Sequence, residues 1–94
     1  MTINGQRFSL GKICATPGAL AALSAAELHP LKLLTRHAHG DWGDLLLIDG
    51  EANEMALRQG LRLVSAYALD TGDRIWIITE ADRSVTTLLT PEEY

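Results

Sequence analysis

The chain has 94 residues, 47% hydrophobic and 21% charged, with a formal net charge of −4. This length holds one domain built on one core, residues 1–94, and excludes two; the composition is that of a folded chain and excludes disorder. Eight scattered Lys and Arg against twelve Asp and Glu exclude broad phosphate-backbone binding, which needs clustered basic groups to displace counterions. No direct nucleic-acid partner is expected.

Phe8, Leu10 and the region of Ile13 suggest a first strand, bent at Gly5 and Gly11. At Thr16-Pro-Gly-Ala the pattern changes: the Thr16 hydroxyl suits an N-cap and Pro17 the first helical position, where a missing N–H costs nothing. Ala19 to Glu27 are strong helix formers, with Leu20 and Leu23 on one side. Pro30 opens a second helix with Leu31, Leu34 and Ala38 on one face, and Gly40 stops it. After Gly40-Asp-Trp-Gly-Asp44, with Asp44 a candidate cap, comes the apolar run Leu45–Ile48. Asp49 to Gln59 then reads as helix, with Leu45, Ile48, Ala52 and Met55 at inward spacings and Gly60 as its end.

From Leu61 the period is two. Leu61–Leu69, Arg74–Glu80 and Ser84–Thr90 read as strands, separated by turns at Asp70–Asp73 and Ala81–Arg83. The fold class is therefore α+β: an N-terminal strand, two to three short helices, then a three-stranded antiparallel meander packed on the helices. A two-residue loop at Thr71-Gly72 sets Tyr67 opposite Trp76, Ala66 opposite Ile77 and Ala68 opposite Ile75. One face then carries Val64, Ala66, Ala68, Ile75 and Ile77 toward the helices. The other carries Tyr67, Leu69, Trp76 and Ile78, bordered by Arg74 and Glu80. That second face has two readings: an aromatic pair stabilising the sheet, or an anchor for a protein partner, since Trp, Tyr and Arg concentrate in binding hot spots. Trp42, between two glycines, likewise plugs the core or serves recognition.

His37-Ala-His-Gly-Asp41 is the segment with the look of chemistry. His37, His39 and Asp41 supply borderline ligands for Zn²⁺ or another transition metal, with Glu51 or Glu54 assisting; the alternative is a helix C-terminus capped by histidines. The run resembles the His-x-His-x-Asp-His element of metallo-β-lactamase-fold hydrolases, but Trp42 stands at its last histidine. Glu80-Ala-Asp-Arg83 reads as a charged turn in which Arg83 pairs with Asp82. No catalytic residue and no cofactor is assigned, because no Ser–His–Asp arrangement, Walker loop, dinucleotide fingerprint or Cys-x-x-Cys motif is present. The single Cys14 excludes an internal disulfide, the first residues lack a signal peptide's apolar stretch, and no apolar run reaches bilayer length. A cytoplasmic location without membrane association is expected.

Ala15–Leu23, Arg36-His37 with Gly40–Asp44, Asn53-Glu54, Gly60–Tyr67 and Ile75–Thr87 together resemble a family of small bacterial proteins common on plasmids and other mobile elements. Some of its members carry the label of a type I restriction endonuclease modification subunit. The resemblance runs over nearly the whole chain and implies no established activity; a methyltransferase would need a glycine-rich cofactor loop that is absent here. Three functions are expected to compete. One is a non-enzymatic binding protein, an accessory or anti-defence factor contacting a host or mobile-element protein through Trp76, Tyr67, Arg74, Glu80 and Trp42. Another is a metal module at His37, His39 and Asp41. The third is a self-associating domain that dimerises through an exposed strand edge.

Overall fold

The computed structural model describes residues 2–45 and 47–94, apart from the side chains of Leu47 and Ile48. Strand β1 (Lys12–Ala15) is followed by helices α1 (Pro17–Ala25), α2 (Pro30–Ala38) and α3 (Leu47–Gln59). Strands β2 (Leu63–Ala68), β3 (Arg74–Thr79) and β4 (Val85–Leu89) come next, and a short 3₁₀ turn (Pro91–Glu93) closes the chain. The α+β class, the N-terminal strand and the meander stand as expected. The sheet is mixed, however, in the order β1-β4-β3-β2, because β1 adds to the meander parallel to β4. Among the described residues no helix is long and apolar enough to cross a membrane.

Local chemistry accounts for the helix starts. Thr16 caps α1 by accepting from Ala19 N at 3.1 Å with Pro17 in the first turn, and His29 Nδ1 caps α2 by accepting from Leu31 N at 3.0 Å. The inward faces agree with those expected at Leu23, Leu34 and Ala38 and differ elsewhere. Ala19, Ala22 and Leu23 are buried in α1 and Leu33, Leu34, His37 and Ala38 in α2, whereas Leu20 and Leu31 are exposed. In α3 the inward residues are Asn53 and Ala56, and the expected Ala52 and Met55 are exposed. The inward positions proposed at Leu45 and Ile48 are met by Leu45, which packs against the core; the Ile48 side chain lies outside the described residues.

The hairpin between β2 and β3 corrects the expected register. Leu69 N–H donates to Asp73 O at 2.8 Å and Gly72 N–H to Leu69 O at 2.9 Å, with Gly72 at φ 95°, so the loop has three residues and ends on a left-handed glycine. Tyr67 consequently pairs with Ile75 and Ala66 with Trp76. Because side chains alternate across the pleat, a one-residue slip turns every side chain of β2 to the opposite face. Tyr67, Ser65 and Leu63 now face the helices beside Ile75, Ile77 and Thr79; Val64, Ala66 and Ala68 lie on the outer face with Trp76 and Ile78.

Helix α3 lies against the edge strand β2 and closes it. Asn53 Oδ1 accepts from Val64 N at 3.1 Å while its Nδ2 donates to Val64 O at 2.6 Å. Ala66 N–H donates to Trp42 O, Asp44 N–H donates to Ala66 O, and Ala68 N–H donates to the Asp44 carboxylate at 2.7 Å. Every outward-facing N–H of β2 is thereby satisfied, which removes a template for pairing with foreign strands. Asp44 thus serves the sheet edge. Gly43 makes this approach possible: its φ is 78°, and a Cβ there would strike Ala66 O and the Tyr67 ring.

Candidate functional site

The structure separates the residues of the expected metal site. His37, in the last turn of α2, is fully buried with both ring nitrogens engaged: Nδ1 meets Ser65 Oγ at 2.5 Å and Nε2 meets Thr79 Oγ1 at 2.9 Å. Thr79 in turn meets Thr86 Oγ1 at 2.7 Å, and Thr86 donates to Leu10 O at 2.7 Å. His39 Nε2 contacts Asn4 O at 2.8 Å, and Asp41 is paired with Arg36 Nε at 2.7 Å. That pairing holds the Asp41 carboxyl below its ordinary value, chiefly through the Arg36 hydrogen bond. Among the described residues no group of three His, Cys, Asp or Glu side chains is placed to hold a metal ion. Glu51 is exposed, and Glu54 is committed to Arg7, which it meets through both oxygens at 2.9 Å, and to Trp42 Nε1 at 3.0 Å.

The buried chain fixes the proton positions by elimination. Thr86 spends its hydroxyl proton on the Leu10 carbonyl, so it accepts from Thr79; Thr79 therefore accepts from His37 Nε2–H, and Nδ1 accepts from Ser65. Burial pushes the imidazole down to about 3, so it stays neutral across the physiological range. A serine bonded to a histidine has the parts of a nucleophile and its base. Here both side chains are fully buried under Phe8 and Trp42, whose rings lie 5.2 Å and 5.8 Å from the imidazole. The pair is a polar girder of the core.

The expected protein-contact residues divide in two. Tyr67 is buried on the helix side, its Oη donating to Asp41 O at 2.6 Å beneath the Arg36 guanidinium, and burial pushes its hydroxyl up to about 12. Trp42 is buried as well, stacked on Phe8 at 6.1 Å. Both are core residues, as the three-residue loop and the Gly43 approach require. Trp76, Arg74 and Glu80 alternate along the outer side of β3 and remain accessible to solvent.

That outer face gains a residue which sequence reasoning passed over. Tyr94 packs edge-on against Trp76 at 5.5 Å, and Arg62 Nη2 donates to Tyr94 Oη at 2.9 Å with its guanidinium over the same ring. Val64, Ala66, Ile78 and Leu89 floor the patch between these aromatics, and α3 borders it with Asp49 and Ala52. The signal was present only as an aromatic and an arginine far apart in sequence. Arg83 does not pair with Asp82; it crosses at φ 60° to donate to the Leu61, Glu80 and Ala81 carbonyls.

A larger groove of about 830 Å³ runs along α2, lined by Leu28, Leu31, Lys32 and Arg36. Its size does not make it the better candidate, because Arg36 is already tied to Asp41 and, among the described residues, no buried polar side chain lines it. No protein-family model, curated protein or solved structure matches the chain.

Proposed function

We propose that this protein acts without chemistry of its own, as a small binding protein whose outer sheet face docks on another protein. The observation that carries this reading is the one-sided sheet: the helices cover one face, while the other presents Trp76 and Tyr94 between Arg62, Arg74 and Glu80. An aromatic pair bordered by arginines on an apolar floor has the composition of a protein-contact hot spot. The burial of the Ser65–His37 pair and the dispersal of His37, His39 and Asp41 favour contact over catalysis. The resemblance to mobile-element proteins supports a role as an accessory or anti-defence factor whose partner is a host or mobile-element protein. Cytoplasmic action belongs to the same reading.

The test is capture from a bacterial lysate by the immobilised chain, read by mass spectrometry beside the variants Trp76→Ala and Arg74→Ala. A specific partner lost in both variants, each still unfolding cooperatively and Trp76→Ala with only a modestly lowered melting temperature, is the expected result. Retention of every captured protein by Trp76→Ala would remove the outer face from the reading.

A further inference from the structure

The two edges of this sheet are finished differently. Along β2, side chains and a loop take up the outward backbone groups. At the opposite edge, β1 is held to β4 in the register Lys12↔Val85 to Ala15↔Leu88, with Lys12 N–H donating to Ser84 O and Thr16 N–H to Leu88 O. A parallel ladder of this register uses the N–H and C=O groups of Lys12 and Cys14. Those of Ile13 and Ala15 point out of the sheet, and among the described residues no hydrogen bond reaches them. A folded protein ordinarily covers, twists or charges such an edge. Here the one charge on the strand is Lys12, and among the described residues nothing takes up the outward groups of Ile13 and Ala15.

We propose that this edge joins two copies of the chain, β1 running antiparallel to β1 of the second copy about a two-fold axis at Cys14. The register follows from the backbone. Hydrogen-bonded pairs must bring outward-facing residues together, which leaves Ile13 opposite Ile13, Ala15 opposite Ala15, or Ile13 opposite Ala15 of the second copy. The first two centre on one doubly bonded pair; centring on Ala15 also sets Ile13 opposite Pro17, which has no N–H to give. The third forms two such pairs at once, with all four outward groups of each copy used. It places Cys14 against Cys14 of the second copy in the close, non-hydrogen-bonded position, and Lys12 opposite Thr16, so no like charges meet. Cys14 lies beside Thr87 on the outer face, away from the helix layer, and is half-buried. Two four-stranded sheets then become one of eight strands, with the two outer faces continuous. This edge is separate from the Trp76 surface, so the inference stands or falls independently of it.

A four-residue strand makes a small contact, which belongs to the weak, concentration-dependent class. The test is sedimentation of the reduced protein from ~10 µM to ~1 mM, paired with mild oxidation. The expected result is a shift toward twice the 10.2 kDa chain mass with rising concentration and a Cys14–Cys14 disulfide formed in the dimer, since facing residues of such a pair lie within disulfide reach. Cys14→Ser keeps the dimer and abolishes the cross-link. Cys14→Asp, which sets two carboxylates face to face on the exposed side, weakens dimerisation at least about tenfold. Ala15→Pro deletes an outward N–H that the monomer does not use and gives the same loss, which keeps the test decisive should one variant fold poorly. A monomer throughout the concentration range overturns the proposal. So does a dimer that resists oxidation at Cys14, or one indifferent to both Cys14→Asp and Ala15→Pro.

Discussion

His37 gives its Nε2 proton to Thr79 Oγ1 at 2.9 Å because Thr79 has committed its own hydroxyl proton to Thr86. The relay ties α2 to β2, β3 and β4 and ends on the carbonyl of Leu10, ahead of β1. It couples the helix layer to three strands through one imidazole, and no buried side-chain polar atom among the described residues lacks a partner. Such a network is costly when broken, because each orphaned group stays buried.

The first prediction concerns pH. The folded imidazole titrates at about 3 against an ordinary 6.5, so between those values the unfolded chain holds a proton that the folded chain does not. Stability therefore falls as pH drops below about 6.5, by several kcal/mol if the whole shift is realised. Urea unfolding at pH 7.5 and pH 5 should show the drop, and His37→Leu should flatten it across that interval. His37→Ala should cost about 2–5 kcal/mol at pH 7.5 from the cavity and the stranded Ser65 and Thr79 hydroxyls. Equal wild-type stability at the two pH values would refute the neutral buried imidazole.

A second pH effect lies lower. Glu93 accepts from the Thr16 hydroxyl, from Gly18 N at 3.1 Å and from Thr90 N at 2.9 Å, fastening the closing turn to the start of α1. These bonds, with that of Thr16 foremost, hold its carboxyl down at about 2 against an ordinary 4.5. The unfolded carboxyl protonates first, so this contribution is present above about 4.5 and is lost as pH falls toward 2. Glu93→Gln should lower the melting temperature at pH 7 and narrow its gap to wild type by pH 2.5. Thr16→Ala, which also removes the α1 cap, should cost about 1 kcal/mol. A melting temperature unmoved by Glu93→Gln would show that the clamp contributes nothing.

The third prediction separates the two faces of β2 and β3. Tyr67→Ala empties a buried site and should cost about 3–5 kcal/mol in urea unfolding. Trp76→Ala, on the outer face, should cost no more than about 1–2 kcal/mol, the worth of an aromatic contact and some partly exposed area. Comparable losses would mean that the outer face is itself core.

Alternation made three strands, both prolines at helix starts and the inward placement of Ile75 and Ile77 readable from the residues alone. The faces of β2 were not, because the difference between a two- and a three-residue loop rests on whether Thr71-Gly72 or Asp70-Thr71-Gly72 turns the chain, and both suit Asp-Thr-Gly-Asp. His37 looked like a ligand because a histidine at a helix end is ambiguous until its neighbours are known. Ser65, Thr79 and Thr86 occupy inward positions of three separate strands, where alternation expects apolar groups. Those three hydroxyls were the available sign that a polar side chain had to meet them.

Asn53 is the sharpest test of how the sheet edge is protected. Its amide gives and receives a hydrogen bond with Val64, imitating a residue of a neighbouring strand. Asn53→Ala leaves both backbone groups of Val64 beside α3 without partners and should cost about 1–3 kcal/mol. Asn53→Asp should be worse at pH 7, since a carboxylate still accepts from Val64 N but faces Val64 O without a proton to offer. Protonation restores a donor, so the deficit of Asn53→Asp relative to Asn53→Ala should shrink as the solution is acidified toward pH 4, the ordinary carboxyl range. Because the opened edge can now template pairing, both variants should scatter more light during slow heating than the parent. If Asn53→Asp matches wild type in urea at pH 7, the amide does not bridge Val64 and the edge is closed by the Trp42–Asp44 loop alone.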